Sequence, residues 1–186
     1  MRLDLSNDMN IKKINREVFV ADDPIVNVGN QEIEFLKMRV GNTERKRIRL
    51  CAHKDIGDRL HEMFIMLSKE TYIRPHKHLN KAESLHVIEG SADAVFFDEA
   101  GNITEVMPLS DYSSGKPFYY RIVEPFYHTL CIRSDFLVFH EATQGPFQRS
   151  DTVFAPWSPV EDDSDGIREF IRKLSDTVYK LSERVG

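Results

Sequence analysis

From about residue 45 to residue 155 the chain is a succession of short apolar runs broken by turn residues, and this texture constrains the fold more than any other feature. RIRLCAH, RLHEMFIMLS, TYIRPHKH, ESLHVIEG, ADAVFFD, ITEVMPL, FYYRIV, YHTLCIRS and DFLVFHEA follow one another with no helical pattern between them. Runs of this length, rich in β-branched and aromatic residues, read as strands. Many short strands at close spacing form an antiparallel barrel or sandwich, so the reading is mainly β. In FFDEAGNIT, Gly101 and Asn102 supply the positive φ that a hairpin turn requires.

The flanks differ. The first ten residues are polar and expected to be loose, and INREVFVADD reads as an edge strand. GNQEIEFLKMRVGN, with Ile33, Leu36, Met38 and Val40 between glycines, predicts a short helix. After the acidic, Pro-rich connector PWSPVEDDSDG, apolar residues at Ile167, Phe170, Ile171, Leu174, Val178, Leu181 and Val185 form a helical stripe, with Asp163 or Ser164 as its cap. That helix is expected to pack on the barrel or on a partner subunit. The organisation expected is an N-terminal arm over residues 1–44, a barrel over 45–160 and a C-terminal helix over 161–186, all in one domain.

A chain of 186 residues can bury roughly 70% of its unfolded surface, so neither disulfide nor metal is needed to hold a core. The formal net charge of −5 argues against a nucleic-acid partner, because phosphate binding needs clustered Lys and Arg. The one basic run, ERKRIR at Glu44 to Arg49, alternates with apolar residues as a strand with a solvated face does. Cys51 and Cys131 lie in separate strand-like contexts, which predicts two reduced structural thiols. No secretory signal and no run long enough to span a membrane is visible, and a cytoplasmic location is expected.

RPHKHLNKAESLHVIEG, Arg74 to Gly90, carries the chemistry. On a strand, His76 and His78 face the same side, and Pro75 rules out a helical alternative. If Glu83 points inward, so do Leu85 and Val87, and His86 faces away. Two imidazoles and a carboxylate meeting from adjacent strands can bind one divalent metal of the Mn, Fe, Co, Ni or Zn group. Spacing alone leaves a metal site and an ordinary polar turn both open. A fourth ligand would have to come from another strand, with His53, His61, His128 and His140 as candidates.

The same stretch resembles the first motif of the cupin superfamily: HxH, four residues, Glu83, six residues, Gly90. VEPFYHTLCI is similar to the second cupin motif and places His128 in its histidine slot. RKRIRLCAH, SKETYIRPHKH, FFDEAGNIT, YHTL, ATQGPF and FAPWSPVE occur in the order seen in WbuC-type cupin metalloproteins, which accompany bacterial O-antigen and surface polysaccharide genes. The resemblance covers roughly residues 30 to 160. It implies a double-stranded β-helix, or jelly-roll barrel, with His76, His78, Glu83 and His128 as metal ligands. The sequence departs from the pattern at Glu70, Pro125 and Val123, where the family has Gly, Gly and Pro, and at Arg74, where it usually has Pro. His140 is the alternative fourth ligand, although parity with Glu141 turns it outward.

The remaining candidates are secondary. His53 and Arg47 are placed to reach over the cavity mouth and hold an anionic or sugar substrate, or else to cap the barrel. Tyr72 and Arg74 share strand parity with His76 and His78 and are expected in the same cavity. Tyr127 stands beside His128, as a substrate contact or as packing; Glu141 is a candidate to orient a ligand histidine, and Glu141, His53 and Tyr72 are the candidates to move a proton. His61 and His86 are read as structural, and Trp157 as a clamp closing one end of the barrel. The function expected from the resemblance is metal-assisted isomerase, epimerase or lyase chemistry on a sugar or sugar-nucleotide derivative. The alternatives are an iron-dependent dioxygenase, a saccharide or small-acid binding module without turnover, and a purely structural metal. A small-molecule ligand and a homodimer are the partners expected.

Overall fold

The computed structural model describes residues 10–182. The expectation of a loose N-terminus therefore lies almost wholly outside the described residues, as does Val185 of the helical stripe. A short hairpin, β1 (Ile11–Lys13) and β2 (Val18–Ala21), precedes helix α1 (Asn30–Val40). The barrel strands follow: β3 (Arg47–Cys51), β4 (Leu60–Ser68), β5 (His76–His78), β6 (Glu83–Glu89), β7 (Ser91–Phe97), β8 (Ile103–Ser110), β9 (Tyr119–Ile122), β10 (Tyr127–Ile132), β11 (Phe136–Gln144) and β12 (Thr152–Phe154). Helix α2 (Ser164–Ser182) ends the described chain.

The strands form two sheets, one ordered β1-β2-β3-β4-β11-β6-β9 and one ordered β12-β5-β10-β7-β8. Every pairing is antiparallel except β2 with β3. From β4 onward the chain passes back and forth between the sheets, apart from the β7–β8 hairpin, as in a jelly roll, and the mainly β expectation holds. The N-terminal segment is built into the larger sheet through the parallel β2–β3 pair. INREVFVADD is therefore not an edge: β1 occupies the edge and β2 lies inside it.

Strand alternation sorts side chains among three apolar clusters. Leu67, Leu85, Val87, Leu130, Leu137 and Phe139 fill the space between the sheets. Ile48, Leu50, Met66 and Val138 point the other way, onto Ile33, Leu36 and Val40 of α1. Met38 of the predicted stripe is instead 69% exposed, since its position falls on the solvent side of α1. The Glu32 carboxylate accepts the Gly29 N–H at 2.8 Å and closes the first turn of α1. On the far side, Val95, Phe97, Tyr127 and Cys131 meet Leu174 and Val178 of α2. Asp163 caps α2, accepting the Gly166 N–H at 2.9 Å. Among the described residues both cysteines are free and buried.

Trp157 does not close a barrel end. Its ring lies 4.9 Å from Phe97, 5.9 Å from Tyr127 and 6.4 Å from Phe170, wedged between the outer face of the smaller sheet and α2. Gly101, at φ +89°, makes the β7–β8 turn and leaves room for this ring, since a Cβ there would stand 2.9 Å from Trp157. The β6–β7 turn depends on Gly90 for two reasons. Its φ is +91°, and a Cβ would stand 2.2 Å from the Phe136 carbonyl oxygen. Gly90→Ala is expected to lower stability by at least about 2 kcal/mol, read from urea unfolding midpoints.

Candidate metal centre

The short strand β5 presents His76 and His78 to the space between the sheets and turns Lys77 outward, where its ammonium stands 4.4 Å from the centre of the Tyr127 ring. His128 on β10 is the direct cross-strand partner of His76. Glu83 opens β6 and is 5% exposed, with Leu85 and Val87 following it inward and His86 exposed on the other face. The ring centroids of His76 and His128 are 4.7 Å apart, those of His76 and His78 4.9 Å, and those of His78 and His128 5.8 Å. One nitrogen from each of the three histidines lies within 4.8 Å of the other two. Glu83 reaches His78 Nε2 at 2.9 Å and His128 Nε2 at 3.6 Å.

The donor set fits a divalent metal. His76 Nδ1 is 2.9 Å from the Arg74 carbonyl and His128 Nδ1 is 3.0 Å from the Phe126 carbonyl. A carbonyl can only accept, so each ring carries a proton on Nδ1, which leaves Nε2 as the nitrogen that would ligate. His78 Nδ1 lies 3.2 Å from the Thr152 hydroxyl, which leaves its Nε2 toward Glu83. Burial, reinforced by the neighbouring His128, pushes the His76 pKa down to about 3, so this ring is neutral and ready to ligate at neutral pH. Burial alone would raise the Glu83 carboxyl, but hydrogen bonds from His128 and His78 outweigh it and hold the group well below the ordinary range. The same bond raises the His128 imidazole against the effect of burial. The Nε2 protons that His128 and His78 share with Glu83 are the ones a metal would displace, and three imidazole nitrogens with one carboxylate are the ligands that borderline divalent metals take.

The cluster lines a cavity of about 690 Å3. Glu141 on β11 sits in its wall, one strand from Leu85 in the direct register. Burial first, and the Glu83 charge second, raise its pKa to about 8, with Arg49 opposing. No hydrogen bond joins it to a histidine of the cluster among the described residues, so its placement is that of a protonated acid beside the ligands rather than a ligand-orienting acceptor. His140 faces out as parity requires, against Phe64 and 3.7 Å from Glu62.

His53 stands at the cavity mouth with its ring stacked on His61 at 4.1 Å, and Arg47 lies beside it, 3.8 Å from Glu17 and 3.6 Å from Glu161. Tyr72 and Arg74 are elsewhere, which corrects their placement as cavity residues, and Tyr127 takes the packing alternative. Residues 71–75 are irregular, so the alternation of β5 does not extend back through Pro75, and Ile73 faces the cavity in place of Tyr72. The Tyr72 hydroxyl donates to the Pro159 carbonyl at 3.0 Å, and its pKa is pushed up to about 12 by burial. Arg74 Nε donates to the Ser158 hydroxyl at 3.0 Å, and its guanidinium lies 4.9 Å from the Phe154 ring centre. Tyr127 is 4% exposed in the cluster under α2.

Of two further cavity residues, His61 is a candidate ligand that the sequence reads as structural, and Arg49 escapes the reading of the sequence. His61 is 5% exposed with an Nε2 that meets no hydrogen-bond partner among the described residues. Arg49 is in the wall because it shares parity with Arg47 and Cys51, a signal already present in RIRLC.

Fold and site together define a class: a jelly-roll barrel with a histidine cluster that could hold a metal. Residues 28–109 match the model of a family described as a domain of unknown function (DUF6016). No curated protein matches the sequence. Among solved structures, protein SO0799 from Shewanella oneidensis is 13% identical at a TM-score of 0.50, covering 69% of this chain and 85% of its own. At this identity the likeness concerns the fold alone. A mutant of Bacillus subtilis oxalate decarboxylase OxdC (19% identical, TM-score 0.43) and the capsular polysaccharide assembling protein CapF from Staphylococcus aureus (19%, 0.43) each align with 53% of this chain. The chain spans about a quarter of the length of either, 25% and 27% respectively. Among the described residues, no helix is long and apolar enough to cross a membrane.

Proposed function

We propose that the protein is a metal-dependent enzyme that binds one divalent transition metal through His76, His78, Glu83 and His128 and moves a proton on a hydroxylated, sugar-type substrate. The observation that carries this reading is Glu141, a carboxylic acid with a pKa of about 8 in the wall of the cavity that the cluster lines. A group this close to neutrality can both take and return a proton at working pH. A divalent metal held there supplies Lewis acidity toward substrate oxygens.

The chain's own residues supply the rest. Glu141, as carboxylate, takes a proton from a carbon next to a carbonyl. The C–H bond breaks, an O–H bond forms on Glu141, and the electron pair delocalises into the carbonyl as an enediolate. Returning that proton to the neighbouring carbon, while the hydroxyl proton of the first carbon passes to the former carbonyl oxygen, completes an isomerisation and restores Glu141. Ile65, Leu85, Leu130 and Phe139 keep the wall around it apolar, which strengthens each charge interaction inside. The cavity volume falls in the usual range for small-molecule sites. The resemblance of residues 30 to 160 to WbuC-type proteins supports sugars and sugar nucleotides as the substrate class.

The test is solvent exchange. Metal-loaded protein incubated in D2O with a panel of sugars and sugar nucleotides is expected to place deuterium on a substrate carbon, read by mass spectrometry. Glu141→Gln is expected to slow that exchange by about 100-fold or more with its metal retained. Binding without exchange across the panel would make the protein a saccharide-binding module instead.

A further inference from the structure

The inner face of β3 is cationic: Arg47 and Arg49 point to the cavity, whereas Ile48 and Leu50 between and beyond them point onto α1. The positive side chains around this mouth are not equivalent. Arg45 and Arg47 share Glu17 and Glu161. Lys54 lies 3.7 Å from Asp22, and Lys81 lies 3.2 Å from Asp151. Arg49 has no carboxylate within ion-pair distance among the described residues. Its Nη1 rests 3.9 Å from the Met63 sulfur, a weak acceptor in the cavity wall. One guanidinium fork, uncompensated, thus faces the same space as the metal cluster.

We infer that Arg49 is the seat of a carboxylate on the ligand, so that the molecule bound here is a polyhydroxylated carboxylic acid with its acid group on Arg49 and its hydroxyl-bearing end toward the histidine cluster. This rests on the reading of the cluster as a metal site. Charge balance selects the acid: one free guanidinium matches one carboxylate, which it can grip with two parallel N–H donors, whereas a phosphate dianion calls for a second free cation. Reach is consistent. Glu141, on the strand next to that of Glu83, feels the charge of both Glu83 and Arg49, so the two ends of the proposed ligand flank the proton-transfer group. Arg49 is exposed to the solvent of the cavity, so its guanidinium is open to a ligand carboxylate without first breaking an ion pair. Arg49 is on this account a specificity residue, discriminating a sugar acid from the neutral sugar of the same length.

The test compares gluconate with sorbitol, a linear acid and the neutral polyol of equal chain length, by calorimetric titration of metal-loaded and metal-stripped protein. Wild type is expected to prefer gluconate by about 30-fold, the fold-change of one charge-assisted bidentate contact. Arg49→Met is expected to abolish the preference while leaving sorbitol binding and metal content unchanged, and Arg49→Lys to restore part of it. The thermal midpoint of each variant checks that the fold is intact. If wild type binds the two probes alike, or binds neither, the inference falls. It falls equally if Arg49→Met keeps the preference. If the preference depends on Arg49 but the affinity for each probe is the same with and without metal, the carboxylate seat stands and the metal reading is the one overturned.

Discussion

His128→Ala is expected to leave a folded protein that no longer retains metal after dialysis, with affinity reduced by at least about 100-fold. Losing an outer hydrogen-bond partner of a ligand already costs 10- to 100-fold, and here a ligand itself is lost. His128 is 5% exposed, its Nε2 points at Glu83, and its Nδ1 is committed to the Phe126 carbonyl, so no rotation of another side chain replaces it. The neighbouring candidates are spoken for: His140 faces outward, and His61 is stacked on His53 and is not in the group of histidines whose nitrogens converge. Elemental analysis after dialysis measures the loss. A parallel thermal melt should show wild type rising in midpoint with added metal and the variant unmoved, because only binding to the folded state stabilises. If His128→Ala retains one metal per chain, His128 is not a ligand.

Glu141→Gln is expected to remove an alkaline destabilisation from the metal-free protein. The folded-state pKa of Glu141 is raised, from the ordinary 4.5 to about 8, chiefly by burial. The folded state therefore holds this proton more tightly than the unfolded state. Its contribution is fully present below about pH 4.5 and is lost as pH rises through 8. Wild-type stability should fall across that window, by about 2 kcal/mol or more, while the glutamine variant stays level in this contribution. Urea unfolding at pH 5, 7 and 9 measures it, and parallel profiles for the two proteins would show that Glu141 is not protonated in the fold. The acid side is governed by other groups. The lowered pKa of His76 contributes stability that is present above about 6.5 and is lost as pH falls toward 3, and Glu83 works in the same direction at lower pH. With a cation on the cluster, the Glu83 charge no longer acts on Glu141, so its midpoint is expected to drop on metal loading.

Much of this architecture is legible in local pattern. The alternation of ESLHVIE places Glu83, Leu85 and Val87 on one face and His86 on the other, and the structure has them so. The stripe in IREFIRKLSDTVYKL appears as the packed face of α2. Alternation misleads where no strand exists. TYIRPHKH reads as one run, yet Pro75 breaks it, and the residues before it follow the path to α2 rather than the cavity. It also passes over elements too short to have a pattern, such as β12, whose Thr152 meets His78.

The sequence by itself determined which side chains share a face within one strand, because the period of two is set by the backbone and needs no partner. That was enough to put His76 with His78, Arg47 with Arg49, and Glu141 opposite to His140. Only the tertiary structure decided which faces meet. β10 lies against β5, so His128 closes the histidine cluster, and β11 lies against β6, so Glu141 stands in the same wall as Glu83. β3 lies at the other side of β4, which brings Arg49 into the wall of the cavity. Those adjacencies join residues tens of positions apart, and they are settled by how the two sheets and the two helices divide the apolar surface among three clusters, a global balance that no local spacing records.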